Sequence, residues 1–444
     1  MQIQLSEHFT YKKLLRFTLP TITMMIVTSI YSIVDGFFVS NFAGKTPFAA
    51  INLIMPVLMI LGTVGFMLGT GGTALVAATY GAGDRARANR YFSLLVYTAF
   101  LIGVVFTVLG FFLIRPVAQL LGAEGALLQN CILYSRIILA AMPFYVLQVM
   151  FQSFFVAAEK PRLGLLVTIL SGLTNMILDA VLVILLPQAY KLAGAAIATA
   201  IAQTVGGIVP LFYFFRKNSS FLRLGKTHFD GSALVKACVN GSSEFMSNIS
   251  MSIVGILYNA QLMRLGGENG IAAYGVMMYV SMIFASTFVG YCVGMAPVVS
   301  FHFGAENTSE LKGLLRKGLV IIGVFGITMT IAAELLSTPL SAFFVGYDKE
   351  LLQLTVFGFR IFSLSFLFMG FGIFTSSFFT ALNDGVTSAI VSFLRTLVFQ
   401  CAAILLLPAL WGIDGVWIAV VAAEIMSVVV SIVFLLAKKG KYHY

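Results

Sequence analysis

Residues 17–40 read FTLPTITMMIVTSIYSIVDGFFVS, an apolar run with one proline, Pro20, and one carboxylate, Asp35. The run is long enough to cross a bilayer as a helix, for which about 20 residues are needed. An acid inside such a helix costs roughly 2.5–3.5 kcal/mol to insert, so Asp35 is expected to face a cavity or a partner rather than lipid. The rest of the chain reads as the scaffold that supplies partners for Asp35 and a route to water.

Hydrophobic residues make up 59% of the 444, charged residues only 10%, and mean hydropathy is +0.99. A soluble chain would carry about 25% charge, so this is a polytopic membrane protein. The 41 glycines suit close helix packing in lipid, and the 41 phenylalanines suit packing or a greasy cavity. The net charge of +10 is no nucleic-acid signal, because the basic residues sit in short loops between apolar runs. Cys131, Cys238, Cys292 and Cys401 lie far apart without metal-ligand spacing and read as packing residues. His8, His228, His302 and His443 are expected in loops or tails, which disfavours a histidine metal site. The N-terminal stretch is amphipathic and leads into a full-length span with no small-residue cleavage site, unlike a removed signal peptide.

Twelve apolar segments are predicted, at roughly 17–40, 48–80, 91–114, 131–158, 163–187, 192–215, 237–264, 271–300, 318–340, 356–382, 386–408 and 415–436. None alternates with period two, so helices are favoured over a barrel. With the N-terminus inside, the inner loops and tails hold 19 of the 27 Lys and Arg, the outer loops hold 5, and Arg136, Arg360 and Arg395 fall within spans. This asymmetry places both termini in the cytoplasm. The expected division is an N-lobe at 1–215, a linker at 216–236 and a C-lobe at 237–444. The halves match at a nearly constant offset of 221–224: Gly81-Ala82 with Gly304-Ala305, Arg136-Ile137 with Arg360-Ile361, Leu186-Pro187 with Leu407-Pro408. A repeat of six helices keeps its orientation, which is the parallel arrangement of some secondary transporters, with the substrate site between the halves.

Buried polar groups break the repeat. Asp35 maps onto Tyr258, and Asp179 onto Gln400. Asn175 and Asp179 are four apart and share a helix face, as do Thr199 and Gln203 on the sixth helix. Two carboxylates, an amide and a hydroxyl suit a hard monovalent cation, and the same desolvated carboxylates suit proton uptake. The bland alternative is a structural cluster joining helices 1, 5 and 6. In the second half, Glu244 and Asn248 make one face of the seventh helix polar, and could form a further polar site with Gln203. Arg395 with Glu424 reads as a structural pair, and Glu334 as an acid near water at the outer end of the ninth helix. The glycine run 62–72 lacks the phosphate-loop lysine, and Gly44-Lys45-Thr46 and Gly225-Lys226-Thr227 lack its first glycine. An ion gradient rather than ATP is therefore the expected energy source. Met150, Phe151, Phe154, Met277, Met278, Met282 and Phe284 read as packing or as an adaptable cavity lining.

The chain resembles the multidrug and toxic compound extrusion (MATE) family, in its prokaryotic, MepA-like branch. The resemblance rests on Leu19-Pro20 with Asp35, on Tyr80-Gly81-Ala82-Gly83-Asp84, on Asn175 with Asp179, and on Gly194-Ala195-Ala196-Ile197-Ala198-Thr199. Phe303-Gly304-Ala305-Glu306 and Gly415-Val416-Trp417-Ile418-Ala419 are the second-half counterparts. It implies an all-α fold of twelve transmembrane helices in two pseudo-symmetric six-helix lobes around a cleft. It also implies efflux of drugs coupled to Na+ or H+, with no other cofactor. The family's cation site falls on Asp35, Asn175, Asp179 and Thr199, which would be the metal ligands if the ion is Na+. Pro20 takes the role of bending the first helix.

The reading is a multidrug antiporter of the bacterial inner membrane, with no catalytic residues. It exports amphipathic cationic molecules as a monomer among membrane lipids, without ATP or nucleic acid. Its alternatives are a lipid or lipid-linked oligosaccharide flippase, which calls for a more cationic cavity, and a membrane enzyme, which calls for a motif at depth. A channel would need a pore lined by both halves.

Overall fold

The computed structural model describes residues 3–38, 42 and 44–444, and among these every regular element is a helix. The expected end of the first segment at Val39–Ser40 lies outside the described residues. The order is α1 (Tyr11–Phe38), α2 (Lys45–Gly81), α3 (Arg85–Leu120), α4 (Gly125–Ala140), α5 (Met142–Ala157), α6 (Pro161–Leu185) and α7 (Lys191–Phe215). Then come α8 (Gly231–Gly304), α9 (Thr308–Val345), α10 (Lys349–Ser363), α11 (Phe366–Ala381), α12 (Gly385–Phe393) and α13 (Phe399–Tyr442). A single π-helical turn, Leu394–Val398, joins α12 to α13.

Among the described residues thirteen helices stand for the twelve expected segments, because chain breaks and bilayer crossings do not coincide. Gly267 (φ 59°) and Gly412 (φ 58°) divide α8 and α13 into two limbs each, at a backbone conformation that a side chain would strain. Conversely, α4 with α5 and α10 with α11 are single crossings bent by 58° and 46°. With α12 and the first limb of α13 taken as one span across the π-helical turn, the described residues form twelve spans. The seventh crossing begins at Gly231, earlier than the expected 237, because the Asp230 side chain accepts from Ala233 N–H and caps it.

The repeat extends to backbone detail. Asp84 caps α3 and Asn307 caps α9 in the same way. Left-handed residues recur too, at Gly83 and Glu306 and again at Glu159 and Asn383. Within lipid, hydroxyls must find partners on the protein. The first helix does this on itself: Thr18, Thr23, Thr28, Ser29 and Ser32 donate to carbonyls four residues back. It also continues unbroken through Pro20.

The halves meet backbone to backbone. A Cβ on Gly241 of α8 would lie 1.9 Å from Met67 O, and one on Gly304 would lie 1.8 Å from Ala78 O of α2. Glycine lets these helices approach to this distance. On α1, Thr18 and Ile22 meet Gly294 and Gly290 of α8. All these approaches lie toward the end that carries the termini and the basic loops. Beyond Ser29, whose Oγ is 2.5 Å from Ser286 Oγ, the helix turns its attention to α6, where Tyr31 packs on Gly172.

The N-terminal stretch does more than lead into α1. Leu5 and Phe9 are fully buried. Leu5 N–H donates to Glu159 Oε1 (2.8 Å) after α5, and Phe9 N–H to Glu310 Oε1 (2.9 Å) on α9. The segment thus straps the two halves together at the end that carries the termini. His302, expected in a loop, instead sits buried in the last turn of α8, because that helix continues to Gly304.

Candidate functional site

The C-terminal part of α1 brings Asp35 to α6, where Asp179 is fully buried and Asn175, one turn earlier, nearly so. The two carboxyl groups lie close enough to feel each other's charge. Yet neither Asp35 Oδ1 nor either oxygen of Asp179 has a donor. Two ionised carboxylates in this position repel, and a proton or a monovalent cation between them removes the conflict. Asn175 Nδ2 reaches Thr199 Oγ1 of α7 at 3.4 Å, which leaves the amide oxygen free to turn toward the acids. The residue types therefore fit a hard monovalent cation. Among the described residues no three His, Cys, Asp or Glu side chains gather as a polyvalent metal would need.

Of the four residues predicted for the cation site, the structure thus sets Asp35 near Asp179 and bonds Asn175 to Thr199. Around them are groups that the sequence did not single out. The Tyr134 ring, fully buried, lies within electrostatic reach of both acids, and Tyr31 within reach of Asp35 and Tyr145. Below, Gln148 Nε2 donates to Ser171 Oγ (3.0 Å), which donates to Ala202 O (2.8 Å), and this ties α5, α6 and α7 together. Tyrosines inside apolar segments carried no signal of this role.

The matching place in the second half is neutral. Tyr258 OH donates to Gln400 Oε1 at 3.0 Å, and these are the counterparts of Asp35 and Asp179. The positions are neighbours in both halves, but at these positions only the first half holds acids and lacks donors.

Among the described residues no side-chain to side-chain hydrogen bond links Gln203, Glu244 and Asn248, the residues expected to form a further polar site. Gln203 stays on α7, its Oε1 buried without a donor. Asn248 Nδ2 is committed to Glu244 O (2.9 Å), since an amide four residues on can fold back along its own helix. Glu244 and Arg395 both lie within electrostatic reach of Cys292. Arg395, on the π-helical turn, grips Glu424 with two hydrogen bonds (3.0 and 3.1 Å). Glu334, half-buried near the end of α9, accepts from Ser363 Oγ at 2.5 Å. Met150, Phe151, Phe154 and Met277 are buried packing, whereas Met278 and Met282 are exposed.

Comparison with known proteins agrees with this architecture. The MatE family model matches residues 20–181 and 245–404, one stretch in each half. The chain is 23% identical over 431 residues to the multidrug export protein MepA of Staphylococcus saprophyticus, covering 96% of this chain and 94% of the relative. It is 24% identical over 420 residues to MepA of Staphylococcus haemolyticus, covering 94% and 91%. A solved multidrug resistance MATE family transporter of the MOP superfamily, in an outward-facing conformation, superposes with a TM-score of 0.92 at 22% identity, covering 99% of this chain and 98% of that one. With both halves matched in order, the chain belongs to the MatE family.

Proposed function

We propose that this protein exports amphipathic, cationic small molecules in exchange for Na+ or H+. The observation that carries the reading is the pair Asp35–Asp179, buried acceptors with no donor. The names of the MepA relatives support export of drug-like small molecules. The energetic link runs through α1, which is shared by two sites. Its outer part carries Asp35 against α6, and its inner part, from Thr18 to Ser29, packs against α8 at the closed end. A cation that draws Asp35 to Asp179 sets how α1 lies, and α1 sets how the halves meet. Pro20, in the inner part, removes one helical hydrogen bond and lowers the cost of bending there. The ion drives transport only so far as it binds one state better than the other.

In this reading residues 1–215 and 237–444 move as two lobes, the basic ends face the cytoplasm, and the described state is closed inward. Glu244 gives the cleft an acid for a cationic substrate. The test is ethidium accumulation in inverted vesicles, with a Na+ gradient or a pH gradient imposed separately and ATP added separately. Accumulation driven by either gradient and indifferent to ATP is expected. Accumulation that needs ATP, or that ignores both gradients, refutes the proposal.

A further inference from the structure

An open cavity of about 690 Å3 lies at the closed end, between the start of α3 and the loop that joins α7 to α8. Arg85, Lys217 and Arg223 line it, with Asn89, Asn218 and Ser220 between them. Among the described residues none of the three cations is in an ion pair. Arg85 feels the Glu159 carboxylate only at longer range.

The frame of this cavity is built, not incidental. Asn89 Nδ2 donates to Phe221 O (2.9 Å), and Asn89 Oδ1 accepts from Arg223 N–H (2.7 Å). Gly225 N–H donates to Ser93 Oγ (3.0 Å), and Thr227 Oγ1 to Arg90 O (2.9 Å). Asn218 Oδ1 accepts from both the amide and the hydroxyl of Ser220 (2.9 and 2.8 Å). Phe221, Leu222 and Leu224 are buried and anchor the loop from below. The loop's own backbone and amide side chains are thus spent on holding its shape, and among the described residues the three basic side chains have no ion-pair partner. Beside them Phe212 and Phe215, at the end of α7, are 60% and 66% exposed, which marks where the apolar bilayer surface ends. A cationic cavity at that level meets lipid phosphates.

We propose that this cavity binds the phosphate of an anionic phospholipid headgroup. Arg85 and Arg223 supply planar donor forks for phosphate oxygens, and Lys217 a point charge. The acyl chains lie along the exposed Phe212 and Phe215. Occupancy also bears on the contact between halves. The Phe221 ring stacks on Tyr80 (centroids 3.7 Å), and Tyr80 meets Phe301 of α8 edge-on (5.3 Å). A headgroup that clamps the loop therefore holds Phe221 behind the α2–α8 contact and favours the state closed at this end.

The test measures lipid retained on detergent-purified protein by native mass spectrometry, with phosphatidylglycerol, phosphatidylcholine, and inorganic phosphate as separate arms. Phosphatidylglycerol is expected to bind in preference to phosphatidylcholine. Lys217→Ala with Arg223→Ala should weaken it about 30-fold, since each basic residue at a membrane surface is worth about fivefold. Lys312→Ala with Lys439→Ala, elsewhere on the same basic end, should leave it unchanged. Should the double variant not fold, Lys217→Gln alone carries the test, with a loss of about fivefold. Equal binding of the two lipids, or retention unmoved by the Lys217 and Arg223 changes, overturns the proposal. So does inorganic phosphate that displaces the lipid at equal concentration, which makes the ligand a soluble anion.

Discussion

Gly304→Ala tests how the halves meet. Gly304 is the last residue of α8, and a Cβ there would lie 1.8 Å from Ala78 O and 2.7 Å from Ala78 Cα. Real Cβ contacts keep at least 3.0 Å, so α2 and α8 must part by about 1.2 Å or the last turn of α8 must deform. The obstacle is backbone, so no rotamer change relieves it. Overpacking at such a contact costs about 1–3 kcal/mol. That cost falls only on the state in which the halves touch here. The population of this state relative to one with the ends apart should therefore fall about 5- to 150-fold. The assay is pulsed electron spin resonance between labels at exposed positions Arg87 and Lys312, in a background free of native cysteine. Gly304→Ala should shift the distance distribution to longer values. Gly255→Ala, where nothing lies within 4 Å, should not. An unchanged distribution in Gly304→Ala, with unchanged thermal stability, refutes the packing argument.

Removing Arg395 leaves Glu424 buried without its partner, so Arg395→Ala should cost about 3–5 kcal/mol and lower the melting temperature, whereas Arg395→Met with Glu424→Leu should recover most of the loss. Gln400→Leu breaks only the neutral bond to Tyr258 and should cost about 1 kcal/mol in a melting experiment, leaving the ion dependence of transport as it was. Asp384, in the turn before α12, is pushed up by burial, but Tyr442 OH (2.7 Å), the Thr387 amide and Lys438 (3.5 Å) outweigh this and hold its carboxyl below the ordinary carboxylate range. Its contribution to docking the C-terminal tail is therefore complete above that range and is lost as pH falls through the depressed value. Fluorescence quenching by a label at His443 should report release of the tail in acid, and Asp384→Asn should release it at neutral pH. Phe9→Ala empties a fully buried position in the strap and should lower stability by about 3–5 kcal/mol, read as a lower melting temperature.

The acids were legible because charge inside an apolar run stands out, and the repeat because identical pairs recur at one offset. Together they also anticipated that Tyr258 and Gln400 would be counterparts of Asp35 and Asp179. What escaped the sequence was anything set by direction rather than identity. Asn248 has the right type for a polar site but folds back on its own helix. Tyr134 and Tyr31 have the type of packing residues but lie beside the carboxylates. Gly267 and Gly412 read as ordinary small residues, and only their left-handed backbone shows them as the points where one long helix becomes two crossings. The strap at Leu5–Phe9 looked like a lead-in, because its partners Glu159 and Glu310 are distant in the chain.

The account turns on the acid pair, and one comparison tests it most directly. Ethidium accumulation in inverted vesicles is measured under a Na+ gradient and under a pH gradient, for the wild type and for Asp35→Asn and Asp179→Asn, with dye binding to purified protein measured alongside. The account predicts that each variant loses gradient-driven accumulation while it still binds dye and keeps its fold. Gradient-driven accumulation that survives in both variants would contradict it.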